Sequence, residues 1–183
     1  MSSLYDEYRK FEFDQFNALE SDNPTITPKT GEDLDDTLID AYINGFRSAA
    51  YILGVSDTGM SPQRAAEVAM ASVAGETFEK RLAEYDGQSM SEARDNVQKI
   101  VVTEIHRAFV QGQLDMAQKA GAKQKTWDAT MDNVTRDTHY TLDGTEIPLD
   151  DYFVTPYGQA LAPGLFGVGQ EDCNCRCILS FSF

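Results

Sequence analysis

The sequence has no long hydrophobic run, and this absence limits where the protein can act. No stretch approaches the roughly 20 apolar residues that are needed to span a bilayer. Residues 1–10 also lack the basic and then apolar layout of a signal peptide. We therefore expect a protein that acts in the cytosol, where it is made, and that has no membrane partner.

Basic residues are scarce in this chain. Lys and Arg total 15 against 30 Asp and Glu, which gives a net charge of -15. The excess of acids lies at the two ends, with 11 acids and 3 bases in residues 1–40 and 9 acids and 2 bases in residues 127–183. Because affinity for nucleic acid comes largely from Lys and Arg that neutralise phosphates, direct DNA binding is disfavoured. The acidic surface suits a basic protein partner, or it is a solvated face that keeps the protein soluble.

Cysteines are also few, and they are crowded together. The three cysteines, Cys173, Cys175 and Cys177, lie within five residues of one another. Alternate cysteines on one extended segment pair poorly with each other, their number is odd, and the cytosol is reducing. We therefore expect no disulfide framework.

The motifs of the common enzyme classes are missing as well. The sequence has no Gly-rich phosphate loop, no H-E-x-x-H, no nucleophile elbow and no dinucleotide-binding fingerprint. The single tryptophan, Trp127, is expected to lie in the hydrophobic core, and the alternative is that it anchors an interface with a partner. The sequence thus offers no familiar catalytic machinery.

What the sequence does contain predicts helices over its first two-thirds. The 183 residues, 42% of them hydrophobic, are enough for one domain with a core. Apolar residues recur at intervals of three and four, and turn formers are frequent in 23–31. The predicted helices cover 4–20, 33–53, 62–84 and 90–120.

Start and stop signals support three of these helices. The acids of residues 32–36 would lie in the first turn of the second helix, where they suit the positive end of its dipole. Ser61 and Pro62 would open the third helix. Ser89 and Glu92 have the spacing of a capping box, and a glycine at position 121 would end the fourth helix. That fourth helix would be about 45 Å long.

The pattern changes after residue 121, where Thr, Asp, Gly, Tyr and Pro become frequent. Short strands are predicted at 124–129, 138–142 and 174–182, with a tight hairpin turn at 142–145. Residues 152–169 are predicted to form a long irregular loop. The fold class is therefore α+β, in which a long helix over about 90–120 leads into a small mixed α/β C-terminal region with short strands.

Charged and titratable side chains are concentrated between residues 132 and 143. Asp132, Arg136, His139 and Asp143 lie within about a dozen residues. In one interpretation Asp132 pairs with Arg136 within a helical turn, His139 bonds a backbone carbonyl and Asp143 shapes a turn. In the other, the cluster holds a metal or performs acid–base work, with His139 as the residue type best suited to that work.

The Cys-x-Cys-x-Cys segment also allows more than one interpretation. On an extended strand Cys173, Cys175 and Cys177 would share one face. They could be buried structural cysteines, or Cys175 and Cys177 could bind zinc together with His139, although paired zinc ligands are usually spaced by two to four residues. A reactive nucleophile is a third possibility, with only Arg176 nearby to lower the pKa of a thiol.

The order of these features resembles the C-terminal domain of the phage Mu F-like head morphogenesis family, whose members are minor head or minor capsid proteins. The resemblance lies within residues 100–180. It is carried by Thr103, Glu104, Lys125, Thr126, Trp127, Asp132, Arg136, His139, Leu142, Asp143, Gly144, Phe153, Asn174, Cys175, Arg176 and Cys177. Two positions depart from the family pattern: Val102 replaces a common arginine that could pair with Glu104, and Cys173 adds a thiol.

The resemblance implies a helical N-terminal region over 1–90 and a Mu F-like domain over 91–183. It implies a minor phage or prophage head protein, present in few copies at the portal vertex or head interior and needed for procapsid assembly or DNA delivery. Its partners would be portal, capsid or scaffold proteins. Its location would be the virion head, and the host cytoplasm during assembly.

Three functional hypotheses follow from the residues and the resemblance. The first is a non-enzymatic assembly protein whose helical part docks to the portal or the capsid interior. The second is a metal-dependent hydrolase or a toxin-like effector carried in the head, with His139 and Asp143 near a metal bound by Cys175 and Cys177. The third is an acidic adaptor of a cellular complex.

Overall fold

Helices make up most of the chain in the computed structural model, which describes residues 4–71 and 76–183, with side chains described from Tyr8 onward except that of residue 9. The helices in this part of the chain are α1 (Leu4–Asp22), α2 (Pro28–Leu53), α3 (Pro62–Ala69), α4 (Phe78–Leu82), α5 (Met90–Ala120), α6 (Asp137–Leu142) and α7 (Gly169–Asp172). The strands are β1 (Gln124–Asp128), β2 (Glu146–Pro148), β3 (Phe153–Thr155), β4 (Gly158–Ala160) and β5 (Ile178–Ser182). The α+β prediction is confirmed.

The long helix α5 begins and ends where the sequence predicts. The Ser89 hydroxyl accepts the Glu92 N–H, and the Glu92 carboxylate reaches back to the Ser89 N–H, so that a capping box satisfies the first turn. Gly121 ends the helix with a positive φ of 78°, a conformation that costs glycine little. Local signals therefore set both ends of this helix.

Helix α2 begins earlier than predicted. It opens at Pro28, behind an N-cap at Thr27 whose capping box uses Thr30. Its first turn contains no acid, so the predicted stabilisation of the dipole by acids in that turn is wrong. The turn formers in 23–31 therefore do not all lie between helices, because proline at the first position and the Thr27 cap together start α2 at Pro28.

The predicted single helix over 62–84 is also wrong. Helix α3 ends at Ala69 with Met70 as its C-cap, and residues 72–75 of the predicted helix lie outside the described residues. A new helix, α4, begins after Thr77, whose hydroxyl accepts the Lys80 N–H, and a 3-10 turn over 83–85 follows it. The Thr77 cap favours the beginning of a new helix, α4, over a continuation of α3.

Helices α2 and α5 cross at very short range, and two glycines make this possible. A Cβ atom on Gly45 would lie 1.8 Å from the carbonyl oxygen of Phe109. A Cβ atom on Gly112 would lie 2.1 Å from that of Tyr42. Since any larger residue would collide with backbone atoms, this pair of glycines sets the distance between the helices.

One continuous hydrophobic core extends from α1 to β5. Phe16 of α1, Leu34 of α2, Val101 of α5 and Leu179 of β5 are all buried members of it. Helix α5 packs against both the helical layer and β5. The division into regions 1–90 and 91–183 stays a prediction. No helix within 4–71 or 76–183 is both long and apolar enough to cross a membrane.

The strands form two small antiparallel sheets. In the larger sheet β1 lies between β2 and β5, with Trp127 opposite Leu179. Strands β3 and β4 form a separate hairpin inside the stretch predicted to be an irregular loop over 152–169, and this part of the prediction is wrong. The predicted strand over 174–182 is present from residue 178 onward only.

The predicted strand over 138–142 is a helix instead, α6. His139 and Leu142 are its buried residues, three positions apart on one face. Gly144 follows with a positive φ of 69°, so the predicted turn exists, but it connects a helix to β2 and is not a hairpin between strands. Burial of this face against the core overrides the strand preference of the Thr and Tyr residues.

A candidate metal centre

Helix α6 and the segment from α7 to β5, which are distant from each other in sequence, meet at one buried point. Helix α6 contributes His139, the segment before β5 contributes Cys175 and Cys177, and α7 contributes Glu171. All four residues are buried. The structure thus brings together the histidine and two of the cysteines that the sequence predicts as metal ligands.

The ligand atoms of these residues face one another. His139 Nδ1 lies 3.4 Å from Cys177 Sγ and 3.7 Å from Cys175 Sγ. All three ligand atoms lie within 4.8 Å of one another, and both thiols are 1% exposed. Two soft sulfur donors and one imidazole nitrogen are the donor set that proteins use for zinc.

The other side of the imidazole faces Glu171. His139 Nε2 lies 2.9 Å from Glu171 Oε2, close enough for an ion pair but without the geometry of a hydrogen bond. The Glu171 carboxylate is fully buried, and the Thr138 hydroxyl donates a 2.9 Å hydrogen bond to the same oxygen. A buried carboxylate in this position favours the tautomer with the proton on Nε2, which leaves Nδ1 free to face the thiols.

The two buried thiols have different proton affinities. The pKa of Cys177 is lowered, first because the Cys175 thiol hydrogen-bonds to it and then because His139 lies beside it. Burial raises the pKa of the Cys175 thiol. The pair therefore favours a state in which Cys177 carries the negative charge and Cys175 donates to it.

Cys173 does not join the other two cysteines. Asn174 adopts a positive φ of 54° and turns the chain between Cys173 and Cys175. The Arg136 guanidinium donates a hydrogen bond to the Cys173 carbonyl, and the Asn174 N–H donates one of 3.4 Å to Thr103 Oγ1. The prediction that all three thiols share one face of a strand is wrong, because this segment is a turn.

An aromatic wall surrounds the histidine. The Trp127 ring meets the rings of His139, Phe153 and Phe166 at centroid distances of 5.2, 5.1 and 6.3 Å. Trp127 is fully buried, so the structure places it in the core and not at an exposed interface. These rings keep water away from one side of the centre.

Asp132 pairs with Arg176 and not with Arg136. Both Arg176 Nη atoms donate to the two carboxylate oxygens of Asp132, the Nη2 bond at 2.8 Å. This bidentate pair keeps the pKa of Asp132 well below its ordinary value. The predicted Asp132–Arg136 pair within a helical turn is therefore wrong. The pair lies at the outer end of the centre and fixes the residue between the two buried cysteines.

Asp143 and Gly144 shape a turn against β1. The Ala129 N–H donates to Asp143 Oδ1 at 2.9 Å, and the Gly144 N–H donates to the Trp127 carbonyl at 2.8 Å. Asp143 is outside the group of buried ligand atoms. Asp143 therefore shapes a turn, as one of the two interpretations of the sequence states, and its carboxylate does not face the ligand atoms.

Glu104 forms a separate buried charge cluster on α5. It is fully buried and accepts a 2.7 Å hydrogen bond from Arg107 Nε and another from the Arg81 guanidinium. Arg107 also donates to the carbonyl of Ala69, the last residue of α3. Although Val102 occupies the position of a common family arginine, Glu104 finds its partners one turn later on α5 and on α4.

Sequence reasoning missed two acids that support the centre. Glu171 faces His139, and Asp172 accepts the backbone N–H groups of Phe166, Gly167 and Val168 at 2.6–3.1 Å. Asp172 thereby holds the loop that carries Phe166. The signal that could have found them is their position directly before the cysteine segment.

A small cavity lies beside His139 and Cys177. It has a volume of about 10 Å³, and its lining includes His139, Cys177, Thr130 and Asn174. This is about the space of one water-sized sphere. The cavity can therefore hold one water molecule but no organic substrate.

Comparison with known proteins gives a family and two curated relatives. The family model described as phage Mu protein F like protein matches residues 32–180. The minor head protein GP7 of Bacillus phage SPP1 is 42% identical over 83 residues, which are 43% of this chain and 27% of that protein. NAD(+)--arginine ADP-ribosyltransferase EFV of Enterococcus faecalis is 48% identical over 54 residues, which are 30% of this chain and 11% of that protein. Most of each relative's length thus lies outside the match. No solved structure gives a significant match.

Proposed function

The chain belongs to the phage Mu protein F-like family, and on that premise we propose that it is a minor phage head protein that acts in head assembly. The observation that carries the proposal is the family match over 32–180, together with the identity to a minor head protein. The match includes α2, α5 and the cluster around His139. It therefore rests on most of the chain, although not on α1, and not on a single motif.

The partner surface in this proposal is the acidic face of α2. Glu32, Asp36 and Asp40 are exposed and recur every four residues, so they lie on one side of the helix. A partner with a basic patch, on the portal, the capsid interior or a scaffold protein, would complement this charge. Contacts between exposed charges weaken as salt is added, so the association should be sensitive to ionic strength.

The experiment is a sedimentation assay with procapsids of the phage that encodes the chain. The wild-type protein should co-sediment with procapsids or with purified portal. A double variant, Asp36→Lys with Asp40→Lys, should lose most of this association. The matched control reverses the same charge at two exposed acids elsewhere, Asp150→Lys with Asp151→Lys, and should bind as the wild type does. If wild-type protein stays in the supernatant, the assembly role is refuted.

A second candidate function is a metal-dependent hydrolase or toxin-like effector carried in the head. Two observations favour it: His139, Cys175 and Cys177 present ligand atoms within 4.8 Å of one another, and one relative, matched over 11% of its length, is named as an ADP-ribosyltransferase. The cavity of about 10 Å³ beside the thiol speaks against substrate access. This candidate predicts that His139→Ala abolishes a measurable turnover while urea unfolding is unchanged.

A further inference from the structure

The distances around His139 match the edges of a tetrahedral zinc site. Zinc binds sulfur at about 2.3 Å and nitrogen at about 2.1 Å, so a tetrahedral ion separates its sulfur and nitrogen ligands by about 3.6 Å. The two Nδ1–Sγ distances are 3.4 Å and 3.7 Å. Both thiols thus approach the same ring nitrogen at distances close to this value. These three atoms can therefore occupy three corners of a tetrahedron around one ion.

The far side of the imidazole has the partner that a metal-bound histidine needs. Histidine ligands almost always present their second ring nitrogen to a carboxylate, a carbonyl or water, which fixes the ring and raises its basicity. Here Glu171 Oε2 lies 2.9 Å from His139 Nε2, and Thr138 holds that oxygen in place. A fully buried carboxylate is costly unless a positive charge balances it. A cation bound to the other side of the ring supplies that charge.

The fourth position has room for one water. The cavity of about 10 Å³ touches His139 and Cys177, and Thr130 and Asn174 supply polar groups to its wall. It is not large enough for a fourth side chain or an organic ligand. Cys173 cannot serve instead, because its ligand atom lies outside the group formed by the other two cysteines and the histidine.

The ligands lie on short elements that are far apart in sequence. Helix α6 has 6 residues, too few to be stable without tertiary contacts. Cys175 and Cys177 precede β5 in a segment without regular structure, 36 and 38 residues away from His139. An ion bound by these residues would fasten the C-terminal strand to α6 in the folded protein.

We propose that His139 Nδ1, Cys175 Sγ and Cys177 Sγ bind one zinc ion whose fourth ligand is a water in the adjacent cavity, with Glu171 as the residue that orients the histidine. The ion has a structural role in this chain, because it links α6 to the segment that precedes β5. Its role does not depend on the head-assembly proposal, because it rests on the geometry of these four residues alone.

The first test is metal content by elemental mass spectrometry on the full chain purified without an affinity tag. Wild-type protein should hold close to one zinc per chain. Cys173→Ser is the matched control, since this thiol lies outside the group, and it should hold the same amount. The double variant Cys175→Ser, Cys177→Ser should hold none. Zinc-free wild-type protein from cells grown with ample zinc would overturn the proposal.

The second test works even if the double variant fails to fold. Wild-type protein stripped with a chelator is titrated with cobalt, which should give sulfur-to-cobalt charge-transfer bands that zinc abolishes. Glu171→Gln keeps every ligand and should bind zinc about 10–100-fold more weakly. Absence of cobalt bands in the stripped wild type, or an unchanged affinity in Glu171→Gln, would contradict the arrangement.

A third test separates zinc ligands from a reactive thiol. Iodoacetamide should modify Cys173 in the zinc-loaded protein, while Cys175 and Cys177 react only after a chelator is added. A catalytic thiol would instead be modified in the zinc-loaded protein, and labelling of Cys177 under those conditions would overturn the proposal in favour of a nucleophile.

Discussion

Replacing Glu104 with glutamine should strongly destabilise the fold. The substitution keeps the size of the side chain and removes its charge. The carboxylate is fully buried between Arg81 and Arg107, and Arg107 is itself buried. The glutamine oxygen can still accept a hydrogen bond from one arginine, but neither Arg107 nor Arg81 then has the Glu104 carboxylate as a counter-ion.

The magnitude follows from the burial of the two arginines. Removing one partner of a buried ion pair costs about 3–5 kcal/mol, because the remaining charge has no counter-ion. Arg81 is 23% exposed and can turn toward water, which favours the lower end of that range. We expect a loss of about 3 kcal/mol in the free energy of unfolding. For a domain of this size that corresponds to a fall of roughly 6–12 °C in Tm.

The assay is urea unfolding followed by the fluorescence of Trp127, the single tryptophan, which is fully buried. The control is Glu67→Gln, at an exposed acid that lies 3.6 Å from Arg64, and it should cost less than about 1 kcal/mol. A second substitution, Arg107→Met, should recover part of the loss in Glu104→Gln, because it removes the unpaired charge. If Glu104→Gln costs no more than the control, the cluster does not stabilise the fold as argued.

Three further predictions test other parts of the structure. Gly45→Ala should cost about 1–3 kcal/mol or more in urea unfolding, because its Cβ would lie 1.8 Å from a backbone oxygen, whereas Gly31→Ala, with its nearest contact at 3.6 Å, should be neutral or stabilising. Burial lowers the pKa of Lys125 to about 8, so the folded protein loses this proton more readily than the unfolded chain. As the pH is raised from about 8 to 10.5, the free energy of unfolding of the wild type should therefore rise relative to that of Lys125→Met, by roughly 3 kcal/mol at most, and this gain should be lost again as the pH is lowered to about 8. A difference between the two proteins that does not change with pH would show that the amine is not desolvated. Carbon-detected NMR should give Asp132 a pKa below its ordinary value of 3.8, and Arg176→Gln should return it toward that value; an unchanged pKa would mean that the pair does not form in solution.

Helices with local start and stop signals could be predicted from the sequence, and those set by tertiary contacts could not. Helix α5 carries Ser89, Glu92 and Gly121 within its own sequence, and its bounds were predicted correctly. Helix α6 has no side-chain cap, and its Thr and Tyr residues favour a strand. It is helical because His139 and Leu142 are buried on one face, which depends on the rest of the core.

The candidate centre could be predicted in part for a similar reason. The residue types alone grouped His139, Cys175 and Cys177, because few other residues bind soft metals. The position of Cys173 depends on the turn at Asn174. The alternating cysteines predict an extended strand there and give no sign of that turn. That turn is the reason why Cys173 leaves the group. Glu171 was missed because its contact with His139 depends on how the chain folds back onto α6, and no spacing between residues in the sequence indicates that contact.

The resemblance found from the residues covered 100–180, and the family model extends it to 32–180. The added part includes α2 and the acidic face proposed for docking. In physical terms the two parts belong together, because α2 packs against α5 through Gly45 and Gly112.

The proposed role as a minor phage head protein is tested most directly by quantitative mass spectrometry of purified heads. Procapsids and DNA-filled heads of the encoding phage would be separated from free protein on gradients, and the chain would be counted against the portal and major capsid proteins. The account predicts a small, constant number of copies per head that is lost when the acidic face of α2 is reversed in charge. Expression of the chain in the host together with its absence from both procapsids and filled heads would contradict it.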